Sequence, residues 1–150
     1  MLIRWAAKED KSAWLALSRE YDAYIDSDLA QWYDGFDIYM ARKIAQREAL
    51  AAMEHEICMG AIAISRSHNR ITFFGISHAA AADTAEALLS AALNELDTSR
   101  EITINAPKGD FPKLQNEKRF LESQGFTIYD DTVLENGCPM YGMRLCPLST

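Results

Sequence analysis

The chain has 150 residues, 49% of them hydrophobic and 25% charged, which is the profile of an ordinary globular domain long enough for one core. Its formal charge of −7 and pI near 4.9 argue against nucleic acid or anionic lipid as the main partner, because both demand a basic surface. No apolar run approaches the roughly 18 residues of a membrane span, and Met1-Leu2-Ile3-Arg4-Trp5-Ala6-Ala7 lacks the long apolar segment of a signal peptide, so a cytoplasmic location is expected.

Met1 to Trp5 is predicted as a short first strand. Glu9 or Asp10 then caps a helix in which Trp14, Leu17, Tyr21, Tyr24 and Ile25 recur at helical spacing. A second helical region covers about 28–45, with Gly35 expected to interrupt it and Trp32, Tyr33, Phe36 and Tyr39 gathered around the break. Strands follow at 49–53, 57–65 and 71–76, the last two joined by the polar turn Arg66-Ser67-His68-Asn69. The series Ala85, Leu88, Leu89, Ala92, Leu93, Leu96 marks a core-facing helix. A strand at 101–105, a loop with Pro107, Gly109 and Pro112, a helix at about 113–123, and strands near 126–130 and 140–145 complete the chain. The order is β-α-α-β-β-β-α-β-α-β-β, an α/β arrangement with a mixed sheet and helices on its faces. With no repeat, low-complexity tract or linker, residues 1–150 are expected to form one domain.

The strand Ile71-Thr72-Phe73-Phe74-Gly75-Ile76 breaks at Ser77-His78 and passes four alanines into the next helix. A buried strand feeding a helix N-terminus presents backbone N–H groups to an anion such as a phosphate. No glycine follows Gly75 in that loop, however, and Asp83-Thr84-Ala85-Glu86 reads as a capping box that would occupy the same donors. The three cysteines, Cys58, Cys138 and Cys146, lie in apolar surroundings without paired spacing and are expected to be buried reduced thiols. His55 and Cys58 would point to opposite faces of a strand, so no metal site is expected. Neither a Gly-x-Ser-x-Gly elbow nor a Gly-x-x-x-x-Gly-Lys loop occurs, which removes serine hydrolase and NTP-binding readings.

The element order resembles the GNAT family of acyl-CoA-dependent N-acyltransferases. Three local signals carry the likeness: the opening Ile3-Arg4-Trp5-Ala6-Ala7-Lys8-Glu9-Asp10, strand 71–76 with the helix bearing Ala87-Leu88-Leu89, and Phe120-Leu121-Glu122-Ser123-Gln124-Gly125-Phe126. The resemblance implies acetyl-CoA as co-substrate, bound in a V between Ile71–Ser77 and Glu101–Ala106, with Gly75, Ile76 and Ser77 along the pantetheine arm and His78, directly after them, as a further cofactor contact. It places the pyrophosphate loop at Ala80, Ala81, Ala82, Asp83, Thr84 and Ala85, a degenerate version in which Ala85 alone fits the family pattern. Where many members carry a proton-donating tyrosine, this chain has Leu121.

Acyl transfer to an amine needs a base and a polarised carbonyl. Asn105, closing an apolar strand at the mouth of the V, is expected to hold cofactor or a water. Glu56, beside Glu54 at a strand junction, is a candidate base, and Tyr141, with Tyr129, a candidate phenolic donor. Trp32, Tyr33 and Tyr39 are expected to wall the acceptor site. The implied function is acetyl transfer from acetyl-CoA to a primary amine, on a small molecule or a protein N-terminus, by direct attack in a ternary complex. The alternative is a GNAT-like domain that has lost acetyl-CoA binding and serves as a small-ligand or protein-binding module. An exposed edge on the closing strands would admit a homodimer.

Overall fold

In the computed structural model the described residues are 1–20, 29–135 and 137–147, with 29–34 described through their backbone alone. The elements are β1 (Leu2–Trp5), a 3₁₀ turn at Lys8–Asp10, α1 (Lys11–Arg19), α2 (Leu29–Ala45), β2 (Ala49–Glu54), β3 (Ile57–Ser65), β4 (Arg70–Ile76), α3 (Thr84–Leu93), β5 (Ile102–Pro107), α4 (Pro112–Ser123), β6 (Thr127–Glu135) and β7 (Cys138–Leu145). They build one mixed α/β sheet of seven strands in the order β1-β2-β3-β4-β5-β7-β6, antiparallel throughout except for the β4–β5 pair.

Alternation along the strands gives the sheet two apolar faces. Leu50, Ala52, Ile62, Ile64, Ile71, Phe74, Ile102, Ile104 and Met143 pack with Leu88, Leu89 and Ala92 of α3 and Leu121 of α4. On the opposite face the alanines Ala49, Ala51, Ala61 and Ala63 let Trp14 and Leu17 of α1 and Phe36 and Met40 of α2 approach closely. Trp14 there meets Phe36 edge-on at 5.8 Å and Phe73 at 5.6 Å.

Several local expectations are corrected. Gly35 does not break α2, which runs through it, so tertiary packing of Phe36 and Met40 outweighs the helix cost of a glycine, about 1 kcal/mol. Asp10 does not cap α1 by a side-chain bond; its carboxylate accepts the Ala7 N–H at 2.6 Å and both terminal nitrogens of Arg4 at 2.7 and 2.9 Å, tying β1 to the start of α1. Cys138 is buried and Cys58 half-buried, with burial pushing its thiol pKa up, but Cys146 is exposed beyond the end of β7. Tyr21, Tyr24 and Ile25 fall outside the described residues.

Candidate active site

The site begins with one extra residue in β4. Ala63 of β3 pairs with Phe73 and Ile64 pairs with Ile71, which leaves Thr72 without a partner and makes a β-bulge. A bulge bends the strand that carries it. Beyond it β4 and β5 part: they pair at Arg70↔Thr103 and Ile71↔Ile104, and no pairing follows as β4 runs to Ile76 and β5 to Pro107. A wedge therefore opens between the two central strands of the sheet, with Thr72 and Asn105 flanking its apex.

The backbone of β4 is available along this wedge. The Ser77 N–H donates to Met59 O at 2.8 Å and Gly75 pairs with Ala61, so these two residues turn toward β3. Alternate residues of an antiparallel strand direct their polar groups the other way. Phe74 and Ile76 thus face the opening, and Ile76 O already accepts from Lys113 Nζ at 3.3 Å. Of the three residues expected to line the pantetheine arm, Ile76 is the one whose backbone is turned to it. Neighbouring Phe74, missed in the sequence, shares that direction.

At the open end, β4 leads into α3. The Asp83 side chain makes no capping bond, so the anticipated box with Glu86 is absent. Thr84 N–H donates to Ala81 O and Ala87 N–H to Asp83 O, while the N–H groups of Ala81, Ala82, Asp83, Ala85 and Glu86 have no protein acceptor among the described residues. The Thr84 hydroxyl, 1% exposed, is likewise without a partner. A set of open donors at a helix N-terminus fits the pyrophosphate of a nucleotide-bearing ligand. Ala80 donates to Ser77 O and is committed to the turn. His78 is tied to α1: its N–H and Nδ1 both lie 3.3 Å from the Glu20 carboxylate, which also holds Lys113 Nζ at 3.3 Å.

The other face of the apex is polar. Tyr39 of α2 shares a short hydrogen bond with the Thr72 hydroxyl, and burial pushes its phenol up to about 12, so it stays protonated at neutral pH. Glu135, half-buried at the end of β6, has its carboxyl held above the ordinary glutamate range by burial, against the opposing pull of the Arg70 charge and of a hydrogen bond from Asn105. Arg70 at the start of β4 has a buried Nε with no partner among the described residues. Tyr39, Arg70, Thr72, Asn105 and Glu135 thus converge from four elements onto one side of the wedge.

The strand expected near 126–130 stops short of Glu135, which the structure places at the end of β6. The signal that could have found it is Val133-Leu134-Glu135 running into Asn136-Gly137, a pair typical of tight hairpins. Glu56 is displaced from the wedge. It is exposed in the β2–β3 turn, with His55 and Glu56 at φ 50° and 65°, and β3 stands between that turn and β4. Tyr141 pairs with Ala106 and so faces α3 and α4, with Lys108 and Lys118 nitrogens 4.9 and 5.3 Å from its ring centre. Tyr129 is half-exposed on β6 with Arg144 over its ring. Trp32 and Tyr33 side chains lie outside the described residues, whereas Tyr39 sits at the apex. Leu121 is fully buried in the core, so no donor replaces the tyrosine at that position. No group of three or more metal-ligating side chains occurs among the described residues, and no described helix is long and apolar enough to cross a membrane.

The sequence profile described as the acetyltransferase (GNAT) domain matches residues 22–146. The chain belongs to the GNAT family. Solved structures with the same fold include Ard1 from Thermoplasma volcanium (14% identity, TM-score 0.74, covering 99% of this chain and 98% of that one). PaiA N-acetyltransferase from Thermoplasma acidophilum, in complex with coenzyme A, gives 16% identity and a TM-score of 0.72 over 97% and 98%. Arabidopsis thaliana Naa50, in complex with a bisubstrate analogue, gives 18%, 0.67, and 95% and 96%. No curated protein sequence matches the chain.

Proposed function

We propose that this chain transfers an acetyl group from acetyl-CoA to a primary amine by direct attack in a ternary complex, with Glu135 as the base. The observation that carries the reading is the wedge at Thr72 and Asn105, which has open backbone donors on its coenzyme side and a carboxylate of raised pKa on its acceptor side. Coenzyme A in PaiA and a coenzyme–peptide analogue in Naa50, both of this fold, support acetyl-CoA as co-substrate and a small amine or protein N-terminus as acceptor.

Bound acetyl-CoA would supply a thioester, whose carbonyl carbon is the electrophile. Phe74 and Ile76 would hold the pantetheine by their backbone, with Lys113 giving up Ile76 O. The N–H groups of Ala81, Ala82, Asp83, Ala85 and Glu86 would take the pyrophosphate. Glu135 would remove the ammonium proton, directly or through one water, and Asn105 fixes the carboxylate that receives it. A carbon–nitrogen bond forms as the carbon–sulfur bond breaks; with Leu121 in the tyrosine position no proton comes from α4, and the second proton shed by the attacking nitrogen would pass to the departing thiolate or to water. Alignment of the reactants then supplies much of the acceleration.

The fold provides an edge for self-association: β6 is the outer strand, with Ile128, Tyr129 and Leu134 exposed, and a homodimer through it forms part of the proposal. The test of the activity is thiol release from acetyl-CoA across a panel of amines and N-terminal peptides. Acceptor-dependent release that Glu135→Gln reduces by about 100-fold or more is expected. Release indifferent to every acceptor, or to loss of Glu135, would contradict the assignment.

A further inference from the structure

The acceptor side of the wedge holds two opposite charges that do not meet. Arg70 and Glu135 are close enough for the guanidinium to lower the carboxyl pKa, yet they form no ion pair. Arg70 is half-buried, and a buried donor without an acceptor is costly. Arg70 nevertheless keeps a buried Nε with no hydrogen-bond partner among the described residues. Its neighbours cannot serve. Thr72 already shares a hydrogen bond with Tyr39, and the Tyr39 phenol, raised to about 12, carries no charge at neutral pH.

We infer that Arg70 and Glu135 form the two ends of a zwitterion site, so that the acceptor is an α-amino acid or a similar amine bearing a carboxylate beside it. The inference rests on the acceptor side of the wedge proposed above. The substrate ammonium lies against Glu135, where its proton is to be removed, and its carboxylate accepts from the planar Arg70 fork, which suits a carboxylate better than a lysine would. An uncharged peptide continuation would leave Arg70 unpaired. A peptide N-terminus is therefore the poorer ligand.

Binding of the acceptor can be measured apart from turnover. Calorimetric titration of the full chain in the presence of CoA should compare phenylalanine with 2-phenylethylamine, leucine with isoamylamine, histidine with histamine, and each amino acid with a neutral tetrapeptide beginning with it. The site predicts at least one amino acid bound about tenfold or more tighter than its decarboxylated partner and its peptide, the size of one charge-assisted contact. Arg70→Gln should bring that ratio close to one and Arg70→Lys should keep part of it, whereas Glu135→Gln should weaken amino acid and amine together. Equal binding within every pair, tighter binding of amine or peptide, or no binding by any amino acid at millimolar concentration overturns the zwitterion site. Should either variant fail to fold, the wild-type ratios decide alone. Selective binding without any acetyl transfer would instead retain the site and reject the enzyme.

Discussion

Among single residues, two carboxylates are shifted in opposite directions, Glu135 upward by burial and Asp10 downward by its hydrogen bond from Arg4. Glu135 has its pKa raised, chiefly by desolvation, so its stabilising contribution is complete below the unfolded value of about 4.3 and is lost as pH rises through the folded value. At pH 7 its ionised form is a cost, and Glu135→Gln should melt at or above the wild-type temperature while losing activity. Thermal melts at pH 7 and pH 4 check this, because the difference should close at the lower pH. For the wild type, kcat/KM should rise with pH through a limb set by the raised carboxyl. Asp10 runs the other way. The hydrogen bond from Arg4 holds its carboxyl below the usual range, with the Ala7 N–H adding to it. Its contribution is present above about 3.9 and lost as pH falls through the folded value. Asp10→Asn should cost about 1–3 kcal/mol at neutral pH by denaturant unfolding, and an unchanged midpoint would show the Arg4 bridge to be dispensable.

At the element scale, what the sequence revealed depended on how local the cause was. The amphipathic series from Ala85 to Leu96 located α3 to within a few residues, because helix periodicity is carried by the segment itself. The β4 bulge was not legible: it arises from the register against β3, and nothing in Ile71-Thr72-Phe73 alone shows that Thr72 is the extra residue. Asp83 illustrates a local pattern that tertiary structure overrides. Its capping box was well formed in sequence, but Asp83 adopts φ −89° and ψ −2°, where an N-cap residue ordinarily has extended geometry, and its side chain makes no cap. The carboxylate then acts on the loop through charge alone. Asp83→Asn should tighten CoA binding about two- to fivefold at low salt, with the gain shrinking as salt is added; weaker binding in the variant would show that the carboxylate supports the loop instead. Leu121 is a second case. It lies wholly within the core, so Leu121→Tyr should destabilise by about 1–3 kcal/mol through overpacking without raising kcat, and a faster enzyme would show that this position still reaches the wedge.

At the scale of the molecule, the fold was legible where function was only partly so. Element order, alternating strands and two helical faces sufficed for a mixed sheet in the GNAT arrangement, and the family match over residues 22–146 agrees. The proposed site draws Tyr39, Thr72, Asn105 and Glu135 from α2, β4, β5 and β6. Such a constellation exists only after the crossover from β4 through α3 to β5 and the return of β6 along β7 have brought distant segments together. Asn105, singled out because it closes an apolar strand, lies next to the last β4–β5 pair at the apex of the wedge. Glu56, a weaker candidate beside Glu54 at a strand junction, lies exposed in the β2–β3 turn, away from that apex. On this reading the opened β4–β5 wedge and the uncapped start of α3 receive acetyl-CoA despite a loop without glycines. Isothermal titration of the full chain with acetyl-CoA, and separately with CoA, decides whether they do. Micromolar binding of both ligands is predicted, and no heat of binding at millimolar ligand would contradict it and leave a GNAT fold that serves as a binding module.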